Sequence, residues 1–382
     1  MNYPTKMTPL EEYINVYWLP RKETELKIST FTRYEGLSKR IIEQLGHIPI
    51  SKLQQAEIYD FYLYLHKAKS AHTRYLATAF CVELVKRKKG IKAYIKSSIL
   101  NEKCVQKESA EMVCKALKLP LESLFIERTE KLSDRTISHY HKLLYGILKD
   151  AAYDGIVKDN IMDRIRPPKI KDANEARCLD IDDAQTIIQY VKAFAISPYR
   201  EAILLILYTG MRRGEACGLE WRDIDFDENI FAVRRGSYYL PKKGIYTDTL
   251  KTPRSKRIIS FDYKVMKTLE DILKYQVDTV GLTEKELMNS KTRLILTEDG
   301  QPINPNNLTK YYHRFITEYD LSSSSIHTLR HTNASVMIAA NTPITTVSNR
   351  LGHSNPEITL RYYAHQLSGE NEKAAKKIEK LL

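Results

Sequence analysis

The sequence lacks the features of secreted, membrane-spanning and zinc-binding proteins. Its five cysteines are odd in number, form no C-x-x-C pair and stand near no histidine at the spacing of zinc ligands, so we expect reduced thiols and neither a disulfide framework nor a zinc site. The first residues show no basic segment followed by an apolar one, and no apolar run approaches the roughly 18 residues of a membrane span. These absences predict a soluble, intracellular protein with no membrane partner.

Acidic residues are fewer than basic residues. The 382 residues include 60 Lys and Arg against 47 Asp and Glu, which gives a formal net charge of +13. A surplus of this size is unusual for an enzyme of small molecules and favours a polyanionic partner, most simply nucleic acid. Ribosomal, membrane-surface and heparin-binding proteins share it, so the charge alone leaves the partner open.

The chain is long enough for two or three domains. Apolar residues recur at helical spacing over 28–45, 51–65 and 133–155, which predicts a helical first domain. The segment RIRPPKIKDANEA (164–176) follows, and its two adjacent prolines cannot continue a helix. We place the main boundary there, with the linker at 167–176.

Residues after the linker follow a different pattern, in which helices flank a β-rich region at about 229–261 with short apolar runs between turn residues. This pattern predicts a mixed α/β domain over 177–382 with a small antiparallel sheet. The helices are predicted at 181–194, 198–208, 262–279, 305–318, 327–340, 343–351 and 368–381.

Residues 72–126 interrupt the helical domain and indicate a small domain of their own. The stretch FCVELVKRKKGIKAYIKSSILN contains a helix, a turn at Gly90 and a second helix from about Ala93, which suits a helix-turn-helix. The following ESAEMVCKALKLPLESLF resembles the last helices of phage-repressor-type DNA-binding domains, so the second helix would be the recognition helix. A helical insert that makes no DNA contacts, with a merely solvated basic turn, is the alternative. The DNA contacts predicted by the first interpretation come from Lys86, Arg87, Lys88, Lys92, Tyr94, Lys96 and Ser97.

Four short motifs occur in order in the last domain. In TGMRRGEACGLEW (209–221), Gly210 ends one helix and Arg212 begins the next, where a fixed guanidinium and unpaired backbone N–H groups suit a phosphate. Glu215 follows one turn later on the same face and is expected to hold that guanidinium. The second motif, LKTPRSKRIIS (250–260), is a basic hairpin. Taken alone, the first is also compatible with a surface arginine and the second with a charged sheet edge that prevents aggregation.

The other two motifs contain histidines. In HTLRHT (327–332), His327 and Arg330 are three residues apart and project to one face of a helix. In LGHSNPEITLRYYAH (351–365), His353 follows a glycine that ends a helix, and a tyrosine comes ten residues after that histidine. Each motif is loose by itself, but all four in this order and at these separations are hard to reach by chance.

Together the motifs resemble the signature of the tyrosine recombinases and integrases, which is an Arg in T-G-x-R, a hairpin Lys, H-x-x-R, L-G-H and Y-x-H. The resemblance covers about 177–366, and the helices of 1–71 and 127–166 resemble the family's core-binding domain. It implies a multidomain fold, with an all-α core-binding domain, a helical helix-turn-helix-like insert and a mixed α/β catalytic domain with a small antiparallel sheet. Integrases of phages and conjugative elements are the most similar members. Many of them carry a further N-terminal arm-binding domain, which we expect to be absent here or removed.

The resemblance assigns roles to six residues. It matches Arg212 and Arg330 to the phosphate-binding arginines, Lys251 to the hairpin lysine, His327 and His353 to the two histidines, and Tyr363 to the nucleophile. Tyr363 is preferred to Tyr362 because Tyr-Ala-His fits the family's Y-x-H. Lys251 is preferred to its neighbours because K-T precedes S-x-R. The competing lysines are Lys242, Lys243 and Lys256, and DNA contacts are expected from Arg254 and Lys256.

The implied reaction is DNA cleavage and rejoining through a 3′-phosphotyrosine. His327 would accept the proton of Tyr363, the two arginines and His353 would stabilise the charge of the phosphate, and Lys251 would protonate the 5′ leaving oxygen. No carboxylate cluster suited to Mg²⁺ accompanies the motifs, so we expect no metal and no other cofactor.

The implied partners are double-stranded DNA at recombination sites and further copies of the chain, as a tetramer on two duplexes, with accessory DNA-bending or excision factors. The C-terminal helix at about 368–382 is expected to dock on a neighbouring protomer, with packing on its own protomer as the alternative. The implied setting is the bacterial cytoplasm, at the nucleoid. A type IB topoisomerase, which shares the chemistry without strand exchange, and a DNA-binding regulator that uses only the insert are the alternative functions.

Overall fold

The computed structural model of the protein describes residues 3–102, 104–170, 179, 181–193, 197–241, 243–250, 255–288, 290–319, 321, 325–353, 355, 357 and 360. The chain divides into two compact units, Met1–Asn174 and Glu175–Leu382. Among the helices in the described ranges, none combines the length and the apolar character that crossing a bilayer requires.

The first unit has a helical core. Its helices are α1 (Leu10–Glu12), a π-helical stretch (Tyr13–Trp18) and α2 (Leu19–Glu25), which run on without a break, then α3 (Ile28–Leu45), a 3₁₀ turn (Ile50–Lys52), α4 (Gln55–Lys67), α9 (Asp134–Tyr153) and a 3₁₀ turn (Ile161–Arg164). Ser133 begins α9 by accepting a hydrogen bond from the Thr136 N–H at 3.2 Å. Apolar stripes at helical spacing meet in the core, where Ile41, Ile58 and Leu144 are fully buried.

A second hydrophobic cluster lies in the segment between α4 and α9. Strand β1 (Lys69–Ala77) pairs with the antiparallel β2 (Phe125–Lys131), and Ala77 stands opposite Phe125. The cluster includes Val85, Ile99 and Val113, all fully buried. The sequence predicted the helices of this segment but not the two-stranded ribbon at its ends. The helices between the strands are α5 (Ala79–Arg87), α6 (Ala93–Leu100), α7 (Lys107–Leu117) and α8 (Leu121–Leu124).

The second unit is a helical body with small antiparallel sheets. The helices are α10 (Ile181–Lys192), α11 (Pro198–Thr209), α12 (Arg213–Gly218), a 3₁₀ turn (Trp221–Asp223), α13 (Tyr263–Val280), α14 (Glu284–Met288), α15 (Pro305–Glu318), α16 (Ile326–Ala339) and α17 (Ile344–Leu351). The strands are β3 (Ile224–Asp225), β4 (Ile230–Val233), β5 (Arg235–Leu240), β6 (Gly244–Thr249) and β7 (Arg257–Ser260). The core lies around α11, whose residues from Ala202 to Leu207 are all buried.

The element pattern of this unit follows the sequence closely. The predicted helices at 181–194, 198–208, 262–279, 305–318 and 343–351 are each confirmed to within a residue or two, because their apolar periodicity is strong. In place of one sheet, the described strands form a three-stranded sheet in the order β3-β4-β7 and a separate β5-β6 ribbon. The helix predicted at 368–381 lies outside the described residues.

Candidate active site

The T-G-x-R motif forms a tight connection between two helices. Gly210 ends α11 with a φ of 67°, and Arg212 is the N-cap residue of α12. A Cβ at position 210 would lie 2.7 Å from both the Asn333 Oδ1 and a methyl carbon of Leu351. A glycine is therefore required here, both by the left-handed backbone and by the close packing. The turn directs the Arg212 side chain toward the end of α17.

Glu215 binds two arginines at once. One carboxylate oxygen accepts from Arg212 Nη1 at 2.8 Å, and the other accepts from the Arg212 backbone N–H at 2.8 Å and from Arg257 Nη2 at 2.9 Å. The Glu215 side chain is only 3% exposed. Burial by itself would raise the pKa of Glu215, but the guanidiniums of Arg257 and Arg212 outweigh it and lower the pKa. The residue therefore stays charged and holds both guanidiniums in fixed positions.

The C-terminus of α17 accepts hydrogen bonds from three guanidiniums. The last carbonyls of a helix carry partial negative charge, and here Gly352 ends the helix with a φ of 68°. Three consecutive carbonyl oxygens each bind a different arginine. The pairs are Arg257 Nε to Arg350 at 2.6 Å, Arg330 Nη2 to Leu351 at 2.7 Å and Arg212 Nη2 to Gly352 at 3.1 Å. Segments that are far apart in the sequence thus place their cations side by side.

The H-x-x-R motif lies in the first turn of α16. Arg330 is 1% exposed and donates through Nη1 to the Gly210 carbonyl at 2.7 Å, so it connects α16 to the T-G-x-R turn. His327 is at the surface, and its ring meets that of His331 edge-on, with 4.7 Å between the ring centroids. The motif therefore contributes one buried cation and one accessible imidazole.

Histidines in this region are biased toward the neutral form. Burial of the ring, followed by the charges of Arg330 and Arg212, lowers the pKa of His353 to about 3. Although the His327 side chain reaches the surface, the protein atoms packed around its ring, and then the charges of His331, Arg330 and Arg212, lower the pKa of the ring to about 4. Because both arginines act on both rings, the four side chains share one electrostatic environment. At neutral pH each imidazole is therefore uncharged, so it can donate its one N–H and offer the other ring nitrogen as an acceptor, and only uptake of a proton would give it a positive charge.

Only some of the other predicted site residues of the second unit lie in the part of the chain that the structure describes. Lys251, Arg254, Tyr362 and Tyr363 lie outside the described residues, as does the rival Lys242. Lys256 is exposed immediately before β7. The other rival, Lys243, places its ammonium 4.9 Å from the centre of the Tyr246 ring at the tip of the β5-β6 ribbon. Across the described ranges, no three His, Cys, Asp or Glu side chains are grouped as metal ligands.

Most of the basic residues predicted to contact DNA from the insert surround the turn between α5 and α6. Lys96 on α6 donates to the Lys86 carbonyl at 3.0 Å, so it stabilises the turn. Ser97 is half-buried and accepts from Asn101. The Tyr94 side chain lies outside the described part of the chain. The exposed members of the set are Lys86, Arg87, Lys88 and Lys92.

Similar proteins with known sequences place the chain in a family. A sequence profile described as the phage integrase family matches residues 177–370, and one described as the phage integrase N-terminal SAM-like domain matches residues 10–66. The first match alone spans half of the chain. The protein belongs to the phage integrase family. The family predicted from the motifs is thus confirmed.

Relatives of this integrase-family protein are distant in sequence. A tyrosine recombinase XerC-like protein of Caldanaerobacter subterraneus subsp. tengcongensis is 27% identical over 228 residues, which cover 56% of each chain. The ICEBs1 integrase of Bacillus subtilis is 25% identical over 253 residues, 66% of this chain and 67% of the relative. The chain thus spans about half to two thirds of the length of these curated relatives.

A solved structure matches the integrase-family protein over nearly its whole length. The Tn1549 transposon integrase, in complex with a circular intermediate DNA, has a TM-score of 0.66 and 20% identity, with 95% of this chain and 96% of the solved chain covered. This similarity confirms the predicted fold class, in which a helical N-terminal part precedes an α/β part with small antiparallel sheets.

Arg257 is a residue of this integrase-family site to which the sequence motifs assign no role. In the sequence it is the arginine of the S-x-R that follows Lys251 in the basic hairpin. In β7 it alternates with the buried Ile259, so the strand pattern is the available sign that its side chain faces inward. Its side chain is 6% exposed, unlike that of the adjacent Lys256.

Proposed function

We propose that this protein is a site-specific DNA recombinase that cleaves and rejoins DNA through a 3′-phosphotyrosine. The observation that carries the proposal is the convergence of Arg212 and Arg330 on the end of α17, in one electrostatic environment with His327 and His353. A phosphate gains negative charge on its outer oxygens during transfer, and paired guanidinium N–H groups stabilise that charge. Membership of the phage integrase family supports the same chemistry.

The proposed first step exchanges one phosphate ester bond for another. The Tyr363 oxygen attacks a backbone phosphorus and forms a P–O bond, while the bond from phosphorus to the 5′ oxygen breaks. A free tyrosine has a pKa near 10, so only about one in a thousand is ionised at pH 7, and a base is needed. We assign that role to neutral His327, and Lys251 gives the 5′ oxygen its proton so that it leaves as an alcohol.

The two arginines have different places in this proposal. The Arg212 side chain is 37% exposed, and a guanidinium has five N–H groups, so Arg212 offers donors to a phosphate at the surface while Glu215 and Gly352 hold it. Arg330 is buried beneath it, where its charge acts on the same phosphate at short range. His353 adds a neutral N–H donor. The reverse reaction, attack by a 5′ hydroxyl of a partner strand on the phosphotyrosine, reseals the DNA without an external energy source.

We further propose that the substrate is a mobile DNA element, bound as a tetramer on two duplexes. The net charge of +13 supports a DNA partner. The names of the similar proteins, an ICEBs1 integrase and transposases of Tn916 and Tn1545, support the mobile element. In this proposal the segment at 368–382 docks on a neighbouring protomer, and the insert at 72–126 adds DNA contacts from its basic turn. Deletion of 369–382 should then abolish recombination while each protomer still binds DNA.

The decisive experiment traps the covalent intermediate. The protein is incubated with a pool of random-sequence duplexes that each carry one nick, so that the cleaved 5′ end diffuses away and the enzyme remains attached. Wild type should give a denaturation-resistant adduct, and sequencing of the trapped DNA identifies the site. Tyr363→Phe should bind DNA and give no adduct, whereas Tyr362→Phe should still give one. An adduct from Tyr363→Phe would assign the nucleophile elsewhere, and no adduct from wild type would refute the proposed chemistry.

Strand exchange is then separated from simple relaxation. A recombinase needs two copies of the recovered site, so it should convert paired sites into recombinants. Relaxation of a supercoiled plasmid that carries no such site, without recombinants from paired sites, would indicate a type IB topoisomerase instead.

A further inference from the structure

Arg257 connects two parts of the candidate site that are distant in sequence. Its three guanidinium nitrogens each donate a hydrogen bond, Nη2 to Glu215 at 2.9 Å, Nε to the Arg350 carbonyl at 2.6 Å and Nη1 to the Ser255 carbonyl at 3.1 Å. Its side chain is almost completely buried, at 6% exposure. The planar group therefore fixes β7, the end of α17 and the Glu215 carboxylate in one arrangement.

The consequence of this arrangement falls on Arg212. Glu215 holds the Arg212 guanidinium from one side and the Gly352 carbonyl holds it from the other. Arg257 binds Glu215 directly and binds α17 two residues before Gly352. Arg257 therefore fixes both groups that hold Arg212, and it acts on the Arg212 guanidinium through them.

We propose that Arg257 is a positioning residue for phosphate binding by Arg212, acting through Glu215 and the end of α17. The inference rests on the proposed function, because it assigns Arg257 to the same cleavage step. Arg257 is also the first residue of β7, six residues after Lys251 in the sequence. Arg257 itself does not contact the reacting phosphate in this proposal.

Arginine is required at this position by its shape as well as its charge. A lysine has one nitrogen and cannot reach three acceptors that lie in different directions around a plane. The space is also limited, because a Cβ at Gly352 would approach the Arg257 Cδ to 3.0 Å. A lysine in place of Arg257 would supply the charge for Glu215 but lose the bonds to the carbonyls.

The pH dependence of cleavage and stability separates the effect of the Arg257 charge from the effect of its hydrogen-bond geometry. In wild type two guanidiniums lower the pKa of Glu215, and among the described residues Tyr238 and His327 also lie within electrostatic range of it. Loss of Arg257 leaves the carboxylate with Arg212 alone, so its pKa must rise. A carboxylate that is stable when charged loses its contribution as pH falls through its folded pKa. As the pH is lowered, the cleavage rate and the stability of a variant without the Arg257 cation should therefore begin to fall at a higher pH than those of wild type.

The test compares Arg257→Gln, Arg257→Lys and Arg350→Gln. Arg350 is the matched control, since its side chain donates to the Ser260 carbonyl at 2.8 Å and so also joins α17 to β7, but it does not bind Glu215. Covalent-adduct formation at saturating DNA and the Tm are measured from pH 5.5 to 8. We expect Arg257→Gln to cleave about 10- to 100-fold more slowly at pH 7.5, with a further loss toward pH 5.5 and a matching earlier fall of Tm. DNA affinity should change by less than about threefold.

The controls decide between positioning and simple stabilisation. Arg257→Lys should cleave slowly but keep the wild-type pH profile, because the cation is retained, and Arg350→Gln should keep both rate and profile. Equal losses in Arg257→Gln and Arg350→Gln with parallel pH profiles would overturn the proposal, as would a wild-type rate for Arg257→Gln. If Arg257→Gln does not fold, the slow rate and unchanged profile expected of Arg257→Lys carry the test. If wild type forms no adduct, the proposed function fails, and the pH dependence of Tm still tests the link between Arg257 and Glu215.

Discussion

Two clusters of basic side chains, one in each compact unit of the chain, lie in opposite environments. In the second unit, Arg212, Arg257 and Arg330 are held by a buried carboxylate and by consecutive carbonyls at the end of α17. In the first unit, the cations around the turn between α5 and α6 project into solvent, and Lys86 is paired only with the exposed Glu83 among the described side chains. The same charge is thus fixed in one cluster and exposed in the other.

If both clusters contact DNA as proposed, the difference predicts two kinds of phosphate contact. A cation that stabilises a transition state must already be in place, because reorganisation during the reaction would reduce its effect. A cation that only attracts the DNA backbone acts through counterion release and needs no fixed geometry. We therefore expect substitutions at the end of α17 to change the rate of cleavage, and substitutions in the α5–α6 turn to change affinity and its dependence on salt.

Among the substitutions that test this comparison, Arg212→Lys should have the largest effect. An ammonium cannot bind Glu215, the Gly352 carbonyl and a phosphate together, so adduct formation at saturating DNA should fall by about two to three orders of magnitude, with DNA affinity preserved. The next residue supplies the control, because the Arg213 guanidinium binds the Thr309 hydroxyl instead, and Arg213→Lys should cleave normally. Near-normal cleavage by Arg212→Lys would mean that a fixed guanidinium is not needed for the cleavage rate, and the proposed difference between the two clusters of cations would be wrong.

A smaller effect is expected from Gly352→Ala. Residue 352 has a φ of 68°, and an added Cβ would lie 3.0 Å from the Arg257 side chain, so we expect a cost of about 1–2 kcal/mol from the backbone and cleavage slowed about tenfold by displacement of Arg257. Gly281, which ends α13 with a φ of 72° and has open space around it, is the matched control. Gly281→Ala should lower Tm similarly and leave cleavage unchanged. If both variants cleave alike, the packing of Gly352 against Arg257 has no role in the rate.

Replacement of the exposed turn cations should have a smaller and different effect. With Lys86, Arg87, Lys88 and Lys92 changed to Ser, the slope of log affinity against log salt should become less steep, by about 0.9 for each DNA phosphate that the protein no longer neutralises. Cleavage at saturating DNA should match wild type, because these side chains lie outside the candidate active site. Titrations at several salt concentrations measure the slope. An unchanged slope would mean that the insert retains its fold without binding DNA.

The comparison also explains how far the sequence could be interpreted. The motifs and most helices of the second unit were predictable because each signal is contained in a few consecutive residues. The β1-β2 ribbon was not predicted, since Thr73 pairs with Thr129 across the whole insert. The role of Arg257 was hidden for the same reason, because Glu215 is 42 residues away from it and Arg350 is 93 residues away. Local patterns predict which residues take part in the chemistry, but long-range packing decides which cations are fixed.

The smallest effect expected is that of pH on the wild-type protein. A histidine base with the ordinary pKa of about 6.5 would be about nine-tenths protonated at pH 5.5, and cleavage would fall about tenfold from pH 7.5. The pKa of His327 and that of His353 are both lowered well below this value, so both rings stay neutral and the rate at saturating DNA should change by less than about twofold.

The same histidines make the fold less stable as pH falls below about 6.5, because the unfolded chain then binds protons that the folded chain does not. Cleavage rates and Tm measured from pH 5.5 to 8 test both expectations, the nearly constant rate and the loss of stability at low pH. A tenfold fall in rate that His327→Gln removes would show that the surrounding protein and the neighbouring Arg330 and Arg212 do not hold the imidazole neutral. The fixed cations of this cluster would then act no differently from the exposed ones of the insert.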